Sequence, residues 1–305
     1  MDDVAAQVTF LIPTFERAQA LGQVIDSIGR FAPRSPVLIV DDGSGDATAE
    51  VAAPYLAAPH PARLAMVRHD RNRGYAHALL TGLGSVTTEW IALWNDDVLL
   101  VETPDWSSLC SADRDGADLV TLVTPKRPVR LGVSWWRGGG HRIDPTEFRR
   151  ATAHGPGLLF RRTAVAAGGA LLRHRLERGC EFARSYPQTV ISLECFARGR
   201  AVWMEDRVVA FDKRTLEHPT GLIDEAQRHY KDAERRLQQF IALAEILQGL
   251  ASTAGGPQLA RSYGRMRRAN QEKAARWLRF VLANPAFDDA DRDRRRSPRS
   301  LRASA

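Results

Sequence analysis

Four apolar runs punctuate the first hundred residues: Val8-Thr9-Phe10-Leu11-Ile12-Pro13-Thr14, Val37-Leu38-Ile39-Val40, Leu64-Ala65-Met66-Val67 and Trp90-Ile91-Ala92-Leu93-Trp94. Each has strand length and is apolar almost throughout, which predicts strands covered on both faces. Between the first two, the spacing changes to three and four at Leu21, Val24, Ile25 and Ile28, the mark of a helix with one buried face. A helix opening near Ala47 and an alanine- and leucine-rich one over 76–83 fill the next two gaps. Strand and helix thus alternate, the pattern of a parallel α/β sheet with right-handed crossovers.

Beyond residue 100 the same reading predicts strands over 118–123, 201–204 and 208–211 and a helix over 188–198 stopped by Gly199. Residues 125–140 are rich in proline, arginine and glycine and carry Trp135 and Trp136. That composition suits a mobile segment whose indoles stack on a ring; two core tryptophans anchoring an insertion fit it equally. From Asp224 the texture turns helical. Ala226, Tyr230, Ala233, Leu237, Phe240, Ile241, Ala244 and Leu247 recur at three and four, predicting an amphipathic helix to about residue 250, then a break and a basic helix over 258–282. A helical hairpin is the plain expectation, with homodimerisation or peripheral contact with an anionic membrane as further uses of its faces. The domains expected are 1–220, the hairpin 221–284 and a charged, disordered tail 285–305.

Composition narrows the class. A chain of 305 residues that is 44% apolar can bury a full core. No run of eighteen apolar residues occurs, and Met1-Asp2-Asp3-Val4 does not open a basic-then-apolar leader, so neither a membrane span nor a secretory signal is expected. Cys110, Cys180 and Cys195 are odd in number and scattered without metal-ligand spacing, which fits reduced thiols in a cytoplasmic enzyme. The formal charge of +7 would draw nucleic acid, anionic lipid or phosphorylated ligands. Many of the arginines lie in the last third, however, and nucleic acid is not the expected partner.

The candidate chemistry sits where strands stop. Two of them run into paired acids, Asp41-Asp42 and Asp96-Asp97. In open α/β sheets the C-terminal strand edge is where ligands bind, and two carboxylates sharing a cleft repel unless a cation or a proton separates them. Oxygen ligands of this kind suit Mg²⁺ or Mn²⁺ carrying a phosphate. Arg71 and Arg73 precede a helix start, where a cation is unfavourable unless an anion is also present, which makes them candidate phosphate contacts.

The segments Phe10-Leu11-Ile12-Pro13-Thr14-Phe15-Glu16-Arg17, Val40-Asp41-Asp42-Gly43-Ser44, Asn72-Arg73-Gly74 and Asn95-Asp96-Asp97, in that order, resemble the nucleotide-binding half of family 2 glycosyltransferases with the GT-A fold. The resemblance covers about residues 6–100 well and continues loosely through an acceptor half to about 218. In that half 155–162 resembles the family's strand beneath the donor sugar, followed by a short helix and Gly168-Gly169, small residues that would let the backbone approach the sugar closely. The resemblance implies a Rossmann-like, mostly parallel sheet flanked by helices, to which the hairpin adds a C-terminal helical extension, and inverting transfer from a nucleoside-diphosphate sugar, of the UDP kind, to a hydroxyl with Mn²⁺ or Mg²⁺. It implies that Pro13, Thr14, Glu16, Arg17 and Asp42 line the nucleoside pocket, with Asp42 accepting from the base. It also implies that Arg73 lies by the base or diphosphate, Asn95 and Asp96 by the ribose or sugar, and that Asp97 holds the metal in the DXD role.

The family also places an acidic pair at the start of a helix in the second half, as the source of the general base, and a histidine after a later strand to complete the metal shell. Here the acids would fall at Pro187 and Gln188, a departure that leaves Glu181, Glu177 and Glu194 as candidate bases, with Glu181 first. His218 and Asp212 are the candidate further metal ligands. Two other readings compete: a catalytically silent nucleotide-sugar-binding scaffold, motivated by that departure, and a nucleotidyltransferase, disfavoured because no glycine-rich, lysine-containing phosphate loop follows the first strand.

Overall fold

The computed structural model describes residues 2–57, 63–121, 141–152, 155–203, 209–210 and 233–283. Trp135, Trp136, Asp212 and His218 lie outside the described residues. The chain divides into two compact units, residues 1–217 and 218–305.

In the first unit a short helix α1 (Asp2–Ala6) leads into β1 (Val8–Thr14), all seven of whose residues are buried. Then follow α2 (Ala18–Phe31), β2 (Val37–Asp41), α3 (Thr48–Ala57), β3 (Leu64–Arg68), α4 (Tyr75–Ser85) and β4 (Trp90–Leu93). The four predicted strands therefore form where the apolar runs stand, and all four run parallel. Val8, Phe10 and Ile12 pack with Leu21, Val24, Ile25 and Ile28 of α2 in one core cluster. Leu11, on the other face, meets α4, where Gly82 leaves room for it.

The second half adds β5 (Leu99–Leu100), α5 (Trp106–Arg114), β6 (Leu119–Thr121), β7 (His141–Arg142), α6 (Phe148–Ala151), β8 (Leu158–Arg161), α7 (Arg162–Glu177), α8 (Glu181–Ser185), α9 (Pro187–Ala197), β9 (Ala201–Trp203) and β10 (Val209–Ala210). Among the described residues the main sheet has the order β3-β2-β1-β4-β8-β6-β9-β7. Strands β8 and β7 are antiparallel to their neighbours and the remaining pairs are parallel. The strand expected over 208–211 does not join this sheet; β10 pairs antiparallel with β5 in a separate two-stranded ribbon.

At the N-terminal strand edge Arg161 lies over the Trp90 ring, 4.8 Å from its centroid. It pairs with Glu89 at 2.8 Å, with Asp118 at 3.5 Å and with Asp113. Arg200 adds a second cation beside Asp118, at 3.1 Å.

Gly168 does not face a ligand. It sits inside α7 against α9, where an added Cβ would stand 2.7 Å from Ile191 Cα and 2.8 Å from its carbonyl carbon. An added Cβ at Gly169 would meet only Leu80 Cδ2, at 3.9 Å. The glycine pair permits helix contact rather than sugar contact.

The second unit is a hairpin of α10 (Ala233–Ser252) and α11 (Pro257–Ala283). Asn270 donates to the Phe240 carbonyl at 2.9 Å, and the Phe240 and Trp277 rings lie 6.1 Å apart.

Adjacent glycines should respond oppositely to the same change. Gly169→Ala removes helix-interior glycine entropy and is expected to stabilise by up to about 1 kcal/mol. Gly168→Ala forces α7 off the α9 backbone and is expected to cost about 1–3 kcal/mol. Urea unfolding of both variants checks this, and equal effects would contradict the packing described.

Candidate active site

Strand order creates a crevice before any side chain is considered. From β1 the chain moves outward through β2 and β3, then returns to place β4 on the other side of β1. Loops leaving β1 and β4 therefore diverge at their C-terminal ends, the topological switch point at which ligands bind in such sheets. Backbone hydrogen bonds show where the strands part. Phe10 and Thr14 bond toward β2, Leu11 bonds toward Trp94, and the pairing with β4 stops at Leu11–Leu93. Pro13, next on the β4 side, lacks a donor where no strand remains to receive one.

The first acid pair is engaged within the protein. Asp41, fully buried, accepts from the Ser44 N–H at 2.9 Å and hydroxyl at 2.5 Å, and faces Arg68 Nε at 3.2 Å. Asp42 accepts from the N–H of Arg73 at 2.9 Å and of Gly74 at 2.6 Å, and lies 2.6 Å from His69 Nδ1. The other ring nitrogen of His69 is 2.9 Å from the Thr81 hydroxyl. Asp42 thus ties the ends of β2 and β3 to the turn that starts α4. Gly43, at φ +76°, passes so close to Arg71 that a Cβ would stand 2.6 Å from its Cα. The side chains of Arg71 and Arg73 themselves are exposed.

The loop after β1 is pinned to the loop after β2. Glu16 takes the left-handed backbone, φ +53°, uncommon for a residue with a Cβ, and its N–H donates to the Ser44 hydroxyl at 2.9 Å. The next two N–H groups donate to Thr48 Oγ1 at 3.1 Å and to Asp46 Oδ2 at 3.2 Å. This fixes Arg17 at the crevice, its Nε 4.0 Å from Asp96 Oδ1.

Asp96 and Asp97 follow β4 in a turn braced by Trp94, whose indole N–H donates to the Val98 carbonyl at 2.7 Å and whose ring meets Phe10 edge-on. Burial first, and then the charge of Asp97, push the Asp96 carboxyl up to about 7, against the pull of Arg17, the Thr14 hydroxyl and the Phe15 N–H. Tyr75 shows 37% of its surface, yet burial of its hydroxyl and the charges of Asp96 and Asp97 raise its pKa well above the usual range. Gly155 closes the group, since a Cβ there would stand 3.0 Å from the Tyr75 hydroxyl and 3.5 Å from Asn95 Oδ1. Among the described residues Asn95 Oδ1 and Arg17 Nη1 are buried without a hydrogen-bond partner. Two adjacent acids beside unsatisfied polar atoms suit a divalent cation with a polyoxygen ligand. Asp96 and Asp97 are the residues that would hold the cation, and no third His, Cys, Asp or Glu joins them among the described residues.

The candidate bases separate by strand edge. Strand β8 runs down from Leu158 beside Leu93 to Arg161 beside Trp90, so α7 climbs back and ends at Glu177, exposed, on the crevice edge. Glu181 opens α8 on that same edge, next to α4, and accepts from Ser185 at 3.2 Å. Helix α9 begins there with Pro187 and buried Gln188, whose amide donates to the Thr152 carbonyl at 3.2 Å. Glu194 lies further down α9, paired with Arg198 at 2.6 Å and near the end that leads to Arg200 and Asp118. It is on the wrong edge for a base.

The family model described as Glycosyl transferase family 2 matches residues 9–175, which span both acid pairs and β8. This chain belongs to glycosyl transferase family 2. Its curated relatives include the undecaprenyl-phosphate 4-deoxy-4-formamido-L-arabinose transferase of Edwardsiella ictaluri, 25% identical over 77% of this chain and 65% of the relative. Succinoglycan biosynthesis protein ExoO of Rhizobium meliloti is 33% identical over 31% of this chain and 26% of its own length. The chain therefore spans less than two thirds of the curated relatives it matches. S. aureus TarS residues 1–349, solved with UDP, superposes with a TM-score of 0.52 at 12% identity, covering 89% of this chain and 91% of that one. Mannosyltransferase PcManGT from Pyrobaculum calidifontis, solved with GDP-Man and Mn²⁺, gives 0.50 at 18% identity over 91% and 75%. These likenesses show the GT-A fold.

Within this family 2 chain, sequence reasoning missed His69 and Tyr75. His69 had a signal, as a polar residue directly after β3 and thus on the ligand edge. Tyr75 and Gly155 come together only through the antiparallel insertion of β8 beside β4, which no local spacing announces.

A carboxyl raised to about 7 makes the fold most stable below the unfolded value near 4, and that margin is lost as pH rises through about 7. Asp97→Asn removes one of the charges responsible, so the variant is expected to lose less stability between pH 5 and 8 than the parent. Denaturant midpoints across that window test it; parallel pH profiles would contradict the coupling of the two acids.

Proposed function

We propose that the chain is an inverting, metal-assisted glycosyltransferase that moves a sugar from a nucleoside-diphosphate donor, of the UDP kind, to an acceptor hydroxyl. The observation that carries the reading is the meeting of Arg17 with Asp96 across the switch point, with Asp97 beside them and two buried polar atoms unpartnered. The complexes of related structures with UDP and with GDP-Man and Mn²⁺ support it.

In this reading the loop after β1, with Thr14, Glu16 and Arg17, seats the nucleoside side of the donor. Asp42 acts from behind, by holding the Arg73–Gly74 turn in place. Asp97 with Asp96 would hold Mn²⁺ or Mg²⁺, which when bound supplies positive charge against the departing diphosphate. Arg17 adds a fixed cation on the same side. Glu181, on the crevice edge, takes the proton of the acceptor hydroxyl as its oxygen attacks the anomeric carbon from the face opposite the diphosphate.

Release of UDP from a panel of UDP-sugars with Mn²⁺ tests the proposal, with the anomeric configuration of any product read by proton NMR. Asp97→Ala is expected to lower turnover by about a hundredfold or more, and Glu181→Gln to lose transfer while keeping donor affinity. Metal-dependent UDP binding without turnover on any acceptor would favour the silent scaffold, for which neutral Gln188 in place of the family's acids is the supporting feature. Wild-type rates in Glu181→Gln would place the base elsewhere.

A further inference from the structure

Charge is divided unequally along this chain. Residues 1–217 carry twenty-six basic and twenty-six acidic side chains and are formally neutral, whereas residues 218–305 carry seventeen against ten. The whole excess of +7 therefore belongs to the second unit.

Helix α11 concentrates that excess and orients it. It holds seven basic residues and one acidic one, over a length of about 40 Å. Tyr263, Met266 and Asn270 are buried, and Asn270 bonds to Phe240 of α10, which fixes the inner face. Arg261, Arg265, Arg268, Glu272, Arg276 and Arg279 recur at intervals of three and four on the opposite face, within about 80° of arc at about 100° per residue. All six are exposed. At the C-terminal end of this stripe Phe280 and Leu282 flank it on either side, 51% and 77% exposed.

We propose that the outer face of α11 is a docking surface for an anionic lipid bilayer. Five arginines on one straight face neutralise a sheet of lipid phosphates, and their long stems with Phe280 and Leu282 reach the acyl boundary, the arrangement of an interfacial helix. A second copy of the chain is disfavoured as occupant, because two such stripes brought face to face would repel. Nucleic acid would satisfy the arginines, but it offers nothing to two apolar side chains placed outside the stripe.

The test is sedimentation of the full chain with vesicles of phosphatidylcholine alone and of phosphatidylcholine mixed with phosphatidylglycerol. Binding is expected only with the mixed vesicles and is expected to weaken as salt shortens the Debye length from about 10 Å toward 3 Å. Each basic residue near such a surface is worth about fivefold in partition. The triple variant Arg261→Gln, Arg268→Gln, Arg276→Gln should thus lose about a hundredfold, with unchanged melting temperature. Phe280→Ser with Leu282→Ser should reduce the binding that survives at high salt. Equal pelleting with both vesicle types, or a triple variant that partitions like the parent, would overturn the proposal. So would tighter binding to duplex DNA than to vesicles at the same salt, or a dimer that the triple variant dissolves. No donor or acceptor enters this assay, so its outcome is independent of the proposed chemistry.

Discussion

Everything in the first unit depends on how β1 is buried. Seven consecutive residues without access to water can only be satisfied by a strand on each side and a helical layer on each face. That requirement sends the chain one way to β2 and β3, then back across β1 to β4. The crevice between the diverging loops is a consequence of packing, present whatever residues line it. Pro13 marks the point of divergence, where a missing N–H costs nothing on the side β4 has left.

Three acids on this edge, two buried and one half-buried, meet different fates. Asp41 is spent on Ser44 and Arg68, and Asp42 on two backbone N–H groups and His69. Both carboxylates are thus engaged in anchoring turns. Asp96 has only a distant guanidinium and two weak helpers, with the like charge of Asp97 beside it, and its affinity for a proton rises accordingly. At the opposite edge Glu89, Asp113 and Asp118 share the Arg161 guanidinium, whereas Asp96 meets its guanidinium only at 4.0 Å. Sites are found where electrostatic tension is left for a ligand to relieve.

Much of this was legible from the pattern of residues. Continuous apolar runs located the four parallel strands within a residue or two, and the Asp-Asp pairs after two of them stand at the C-terminal strand edge. What the sequence did not disclose is how alike motifs diverge. Nothing local to Asp41-Asp42 says that its oxygens will be claimed by Arg73 and Gly74, thirty residues on, because that claim depends on β3 lying beside β2. Gly168 looked like a residue for approaching a sugar, and only the crossing of α7 over α9 explains it. Glu194, a reasonable base by type, lies at the end of α9 away from the crevice, and β10 pairs with β5 instead of a strand of the main sheet.

Mn²⁺ is paramagnetic and broadens the amide resonances of residues close to it, so a titration of the isotope-labelled chain with Mn²⁺ in the presence of UDP reports the site directly. The account predicts broadening centred on both Thr14 to Arg17 and Asn95 to Asp97, two segments far apart in sequence. Broadening confined to one of them, or centred on Asp113 and Asp118 at the opposite edge of the sheet, would contradict a shared cleft.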